Sequence, residues 1–362
     1  MRVLIAPDSF GETLTAVQAA EAMAAGWAAA RPDDIVVLAP QSDGGPGFAD
    51  VISATTGGMR SSSVAGPLGT PTAARWVLAD GTAYIESAQA VGLGLLGGPP
   101  SRATAIDANS RGVGELIAAA VDAGARRIVV GLGGSCCTDG GRGMVEALGG
   151  LDQARERLEG VTLVAATDVE HPLLGEHGAA RVFGPQKGAD ESAIELLEQR
   201  NTVWSRDLER VCGFVVADRP GAGAAGGLGA ALLALGAVRE SGAEVVAACT
   251  GQADQLAAAD LVLTGEGRFD HQSLRGKLVT SLAAAARRLG VPTVVVAGQV
   301  AVNRDTVRGA GIVAAFSVAE FAGSVERAMT EAADRLEALT SCVADGWRGA
   351  AGAARCATIH EE

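Results

Sequence analysis

Short runs of β-branched residues alternate with alanine-rich stretches along almost the whole chain, and this rhythm restricts the fold more than any other feature. It is the mark of an α/β protein, a mostly parallel sheet covered by helices. Val3–Ala6, Ile35–Ala39, Ile128–Gly131, Leu261–Thr264, Thr293–Ala297 and Ile312–Phe316 read as buried strands, with helices at Thr15–Arg31, Val113–Ala123 and Leu274–Leu289. Residues 60–90 depart from the rhythm. There Ser61–Val64, Ala73–Leu78 and Ala83–Glu86 are short strands separated by Gly66-Pro67-Leu68-Gly69 and Asp80-Gly81, a spacing that predicts hairpins. A second, more β-rich domain is expected to begin there, and 362 residues suffice for two domains of roughly 150 each. The final stretch, Asp345–Glu362, is rich in Gly, Ala and charge and is expected to fray.

Charge narrows the function. A net charge of −13 leaves no basic face of the kind that nucleic-acid binding requires. In so acidic a chain, any cation placed in a glycine-rich loop becomes informative, because anions must be attracted locally. The apolar run Val3–Ala6 is too short for a secretory signal, and no stretch approaches the ~20 apolar residues of a membrane span. Six cysteines without CxxC spacing or a framework of short disulfide loops fit a reducing cytoplasm.

Lysine usage carries the sharpest signal. Of 29 basic residues only Lys187 and Lys277 are lysine, and both lie in glycine-bracketed segments, Gly184-Pro185-Gln186-Lys187-Gly188 and Arg275-Gly276-Lys277. A compact ammonium suits a phosphate or carboxylate, although two ordinary surface lysines would look the same. Lys277 follows the strand Leu261–Thr264 and the loop Gly265–Ser273, with Ser273 placed to cap the next helix. Arg275 and Lys277 would then sit in a first turn whose dipole disfavours them, unless an anion shares the site. In the same loop Glu266 and Asp270 offer the hard oxygens that Mg²⁺ takes beside nucleotide phosphates.

Gly131–Gly141 is a second glycine-rich turn, suited to close backbone approach to a phosphate, with Ser135 and Thr138 adding hydroxyls. It is neither GxGxxG, because Cys136 fills the third glycine position, nor GxxxxGK[ST], so dehydrogenase and P-loop readings lose support. Cys136 and Cys137 read as small apolar fillers. Asp43-Gly44-Gly45-Pro46-Gly47 and Asp139-Gly140-Gly141-Arg142-Gly143 echo one another as loops that could face each other. Asp168, after the strand Thr162–Ala165, is a metal or substrate candidate, whereas His171 before Pro172 reads as a turn residue. Pro220–Gly229 carries no charge and is either a ligand-hugging loop or a packing element. Asp8 and Ser9 follow the first strand, where open α/β sheets bind ligands.

These segments together resemble the bacterial glycerate kinases unrelated to P-loop and protein kinases. The resemblance rests on Ala6-Pro7-Asp8-Ser9-Phe10, Ser42-Asp43-Gly44-Gly45, Gly66-Pro67-Leu68-Gly69, Gly112–Ile117, Gly133-Gly134-Ser135, Thr138–Gly141, Val182–Ala189, Pro220–Gly223 and Thr264–Asp270, in that order. It implies a Rossmann-like domain built from both chain ends, residues 1–60 and 258–362, an inserted α+β domain over 61–257, and an active site in the cleft between them. It implies transfer of the ATP γ-phosphoryl group to D-glycerate, giving 2-phosphoglycerate, with Mg²⁺ as cofactor. On that reading Lys187, Lys277 and Arg268 hold the carboxylate and triphosphate, while Asp8, Ser9, Gly44, Gly45, Gly133, Gly134, Ser135, Thr138 and Gln272 complete the ligand shell. Asp168, Glu266 and Asp270 hold the metal. Asp139, or else Asp43, accepts the hydroxyl proton. Partners would be the small acid alone, with neither nucleic acid nor membrane, and a homodimer is left open.

The chain departs from this pattern at Gly11 and Glu12, where the family writes Lys-Gly, at Pro46, where it writes Glu, and at Thr138, where it writes Asn. The departures keep two alternatives open: a kinase of another small hydroxy-acid, or a ligand-binding homologue without activity.

Overall fold

The computed structural model describes residues 1–274 and 278–349. Their strands, in chain order, are β1 (Arg2–Ile5), β2 (Ile35–Leu38), β3 (Met59–Ala65), β4 (Pro71–Ala79), β5 (Thr82–Glu86), β6 (Arg127–Gly131), β7 (Thr162–Ala166), β8 (Val238–Glu240), β9 (Leu261–Thr264), β10 (Arg268–Phe269), β11 (Thr293–Ala297), β12 (Gln299–Val300) and β13 (Ala314–Ser317). They fall into two compact units, Met1–Ser42 with the chain from Ala247, and Asp43–Val246. The stretches 43–60 and 247–257 therefore sit on the other side of the division from where the sequence placed them. Packing gives the reason: the helix Phe48–Thr56 buries Phe48, Val51 and Ile52 and lies on β4 and β5. Leu256 joins Leu4, Val262 and Leu282 in one apolar cluster.

The first unit holds a wholly parallel five-stranded sheet in the order β13-β11-β9-β1-β2. Val3 pairs with both Leu261 and Val36, so β1 is central. The chain leaves β1 for β2 on one side and returns as β9 on the other, which makes β1/β9 the topological switch point. As an edge strand β2 is less buried than expected, with Ile35 59% exposed. The strand predicted at Ile312–Phe316 is displaced to Ala314–Ser317. The helix Ala16–Ala30 starts where Thr15 accepts a bond from the Gln18 amide and the Gln18 side chain accepts one from the Thr15 amide, a capping box. Its buried face, including Met23 and Trp27, packs on the helix Ala332–Gly346, and a Cβ on Gly26 would overlap Glu337 O.

The second unit is a mixed six-stranded sheet, β3-β4-β5-β6-β7-β8, antiparallel up to β5 and parallel from there. Both expected hairpins form. Asp80 and Gly81 have φ of 48° and 74°, the left-handed pair that a two-residue turn between twisted strands requires. Ile85, Ile128, Val130, Leu116, Ile117 and Met144 lie at the centre of its core.

Of the helix expected over Leu274–Leu289, the described part is Leu278–Arg288. The Ser273 hydroxyl donates to Arg268 O at 3.3 Å and accepts from the Asp270 amide at 3.2 Å. Arg275, Gly276 and Lys277 lie outside the described residues, as does most of the tail expected to fray. Cys136, Cys137, Cys212 and Cys249 are free thiols. No helix among the described residues is long and apolar enough to cross a membrane.

Candidate active site

The turn after β6 is built around Lys187. The segment Ala179–Lys187 carries this side chain inward, where it is 3% exposed. Its Nζ donates to Cys137 O at 2.6 Å and to Ser135 Oγ at 3.1 Å. No carboxylate forms an ion pair with it among the described residues, and burial lowers its pKa from the ordinary 10.5. Gly134 takes φ +70° and is exposed, and neither its amide nor that of Ser135 donates to a protein acceptor among the described residues. Unused amides beside a buried ammonium make this turn locally positive. The two thiols under the turn are fillers: burial pushes Cys136 up to about 11 and Cys137 well above its usual value.

The Asp43 loop lies directly on this turn at Gly133 and Gly134, ahead of its echo Asp139–Gly143. Gly133 N donates to Gly44 O at 3.2 Å, and a Cβ on Gly133 would overlap Gly45 Cα. Pro46 packs so close to Gly134 that a Cβ there would meet its Cγ at 2.6 Å. Asp43 is exposed, and its Oδ1 accepts from the Gly45 amide at 3.0 Å. Beneath the loop is a residue the sequence reading missed, Glu86, 2% exposed at the end of β5. It accepts from the amides of Gly47 and Ala49 at the start of the helix Phe48–Thr56. Burial raises its pKa above 4.5, partly offset by those amides. The strand-end rule that singled out Asp168 would have found it.

Asp139 has a different set of partners from the one a proton acceptor needs. Its Oδ2 accepts from Ser110 N and Ser110 Oγ at 2.8 Å each and from Gly143 N at 3.0 Å, and its Oδ1 accepts from Gly141 N at 3.2 Å. Three of the four donors crowd Oδ2, and Oδ1 keeps one lone-pair direction open. Ser110, also missed from the sequence, accepts in turn from Met144 N, so the pair ties together the starts of the helices Arg111–Asp122 and Arg142–Ala147. Thr138 Oγ1, 1% exposed, has no hydrogen-bond partner among the described residues. Next to it is a polar pocket of about 340 Å³ bordered by Arg111, Arg142 and Arg200. The Arg142 guanidinium lies 5.0 Å over the Trp204 ring, whose Nε1 donates to Gly140 O.

The uncharged segment Pro220–Gly229 is a packing element. Gly226 O accepts from Gly140 N at 3.1 Å, and a Cβ on Gly226 would overlap Cys137 O. His171 orders its turn as expected, with Nδ1 3.1 Å from His177 O and its ring edge-on to Phe183.

In the first unit, Asp8, Ser9, Glu266, Arg268, Asp270 and Gln272 gather on the turns after β1 and β9, at the switch point. Asp8 N donates to Gly265 O at 2.8 Å and Gly267 N to Ser9 O at 3.3 Å. Asp270 accepts from Gln272 N at 2.7 Å and pairs with Arg268 at 3.4 Å. Asp168 belongs to the second unit, and no group of three His, Cys, Asp or Glu side chains among the described residues is placed to hold a metal ion. Glu266 and Asp270 belong to the first unit. Mg²⁺ beside nucleotides uses one or two carboxylates and completes its shell with phosphates and water.

The first unit is an α/β sheet with a topological switch point, and the second carries a bare-amide turn beside a buried ammonium. Residues 3–153 and 150–348 match the model of the Glycerate kinase family. An uncharacterised protein of Mycobacterium bovis is 57% identical over 95% of this chain and 91% of its own. The Escherichia coli glycerate 2-kinase is 39% identical over 93% and 95%. A Salmonella typhimurium crystal structure, provisionally assigned as glycerate kinase 2, superposes with a TM-score of 0.79 at 35% identity, covering 95% of this chain and 97% of that one. The chain belongs to the glycerate kinase family and is a phosphotransferase.

Proposed function

We propose that the protein transfers the γ-phosphoryl group of ATP to D-glycerate at its 2-hydroxyl. The observation that carries this reading is the Lys187 ammonium, buried with no carboxylate in ion-pair contact among the described residues and beside two unused amides. Burying a lone cation is expensive unless a counter-charge arrives, and a phosphoryl group supplies one. The relative named glycerate 2-kinase supports both substrate and position.

Phosphoryl transfer needs positioning and charge neutralisation more than covalent chemistry. In this reading the amides of Gly134 and Ser135 and the Lys187 ammonium meet the developing phosphoryl charge. Asp43, exposed and with a single bond to the protein among the described residues, takes the hydroxyl proton. Asp139 positions the turn. Mg²⁺ entering with the nucleotide would neutralise its phosphates, and Glu266 and Asp270 are the oxygen donors that would hold it. Lys277, expected in the triphosphate shell, lies outside the described residues.

The reading is tested by coupled ADP release across D-glycerate, lactate, malate and tartronate with Mg-ATP. Turnover with D-glycerate at least tenfold above the other acids is expected, and a preference for any of them defeats the assignment.

A further inference from the structure

The reaction proposed above needs a place for a nucleoside, and the first unit contains a hollow whose chemistry suits little else. It measures about 310 Å³, at the small end of the range for small-molecule pockets. Phe10, Gly267 and Gly298 form its base, so it opens at the carboxyl ends of β1, β9 and β11, beside the β1/β9 switch point. Open parallel sheets bind nucleotides in such a crevice. Its outer wall is aliphatic, from Val318, Val325 and Met329.

Two features select the ligand. Val325 and Met329 stand four residues apart on one short helix and so share a face, yet they are 44% and 57% exposed. Large apolar side chains left open at the mouth of a hollow are suited to covering a flat apolar ring, and methionine sulfur adds a favourable contact to an aromatic edge. Among the described lining residues there is no cation and one carboxylate, Glu12. Phosphate and glycerate would both be repelled there. A neutral base with a hydroxyl-bearing sugar would not, and a carboxylate at the rim can accept hydrogen bonds from a ribose diol. The polar, arginine-bordered pocket of the second unit has the opposite character.

We propose that this hollow binds the adenosine moiety of the nucleotide, with the base against Val325 and Met329 and the ribose at Glu12. The inference rests on the kinase reading for the presence of a nucleotide, and on the hollow alone for its place.

The test is calorimetric titration of ADP into wild type, Met329→Glu, Val325→Glu and Glu12→Gln, with melting curves and steady-state kinetics on each. Both rim residues are exposed, so the fold should tolerate the changes. Expected are melting points close to wild type, ADP affinity lowered about tenfold or more in Met329→Glu and Val325→Glu, and an unchanged KM for D-glycerate. Glu12→Gln should reduce the preference for ADP over its 2′-deoxy and 3′-deoxy analogues. Wild-type ADP affinity in both rim variants overturns the pocket and leaves the kinase reading standing. ADP binding that is lost in Met329→Glu, in a protein that phosphorylates no glycerate, upholds the pocket and removes the kinase reading. A wild type that binds no ADP removes both.

Discussion

Replacing Lys187 by Met separates a catalytic ammonium from a structural brace. The side chain is 3% exposed and makes two hydrogen bonds, to Cys137 O and Ser135 Oγ. Removing the charge relieves a desolvation penalty; replacing buried ions by apolar groups of similar volume often stabilises by about 1–4 kcal/mol. Against this, Cys137 O and Ser135 Oγ lose a charged donor, at about 1–3 kcal/mol for each buried group left unsatisfied. The two effects nearly cancel, so the melting temperature should move by only a few degrees. Catalysis has no such compensation. A donor aimed at developing oxyanion charge is worth about 3–4 kcal/mol, so kcat should fall about 10²–10³-fold. Lys187→Arg should not rescue, because a planar guanidinium does not fit a cavity shaped around an ammonium. A pH series adds a second readout. The folded pKa lies below the unfolded 10.5, so the folded chain holds fewer protons between the two values. Wild type should therefore gain stability relative to Lys187→Met as pH rises through that interval. A Lys187→Met enzyme with normal melting behaviour and kcat within about threefold of wild type would refute the reasoning, because 10²–10³ was required of it.

Asp139→Asn should lower the melting temperature as well as turnover, since an amide NH₂ would face some of the four donors now aimed at the carboxylate; a turnover defect at unchanged melting temperature would return Asp139 to the role of base. Asp43→Asn should cut kcat by about 10²-fold or more with stability preserved, and normal turnover would exclude Asp43 as proton acceptor. Glu86 has a raised folded pKa, so the folded chain holds the extra proton and stability falls as pH rises from 4.5 through the folded value. Glu86→Gln should thus be more stable relative to wild type at pH 8 than at pH 4, measured by chemical denaturation; the reverse trend would contradict the burial argument. Gly133→Ala should push the two glycine loops apart, because its Cβ would overlap Gly45 Cα, and destabilise by about 1–3 kcal/mol with loss of activity.

The strand rhythm was legible because β6, β7, β9 and β11 are short buried runs whose neighbours cannot be mistaken for turns. The order of the first sheet was not, since nothing local in β9 says that it returns beside β1. Lys187 stood out by residue choice, but its partners are a carbonyl and a hydroxyl 50 and 52 residues away. Asp43 and Asp139 look alike in sequence, and their difference is made by Ser110, 29 residues from Asp139. Pro220–Gly229 was ambiguous for a similar reason: glycine serves close backbone packing as readily as ligand approach, and only its contact with Gly140 and Cys137 decides. The three metal carboxylates were grouped because each follows a strand, a local property that does not bring Asp168 into one unit with Glu266 and Asp270.

The central claim is tested most directly by ³¹P NMR of purified protein with Mg-ATP and D-glycerate. A phosphomonoester resonance of 2-phosphoglycerate growing in step with ADP, and collapsing in Lys187→Met, is the predicted result. ATP left intact in the presence of D-glycerate, or product formed equally fast by Lys187→Met, would contradict it.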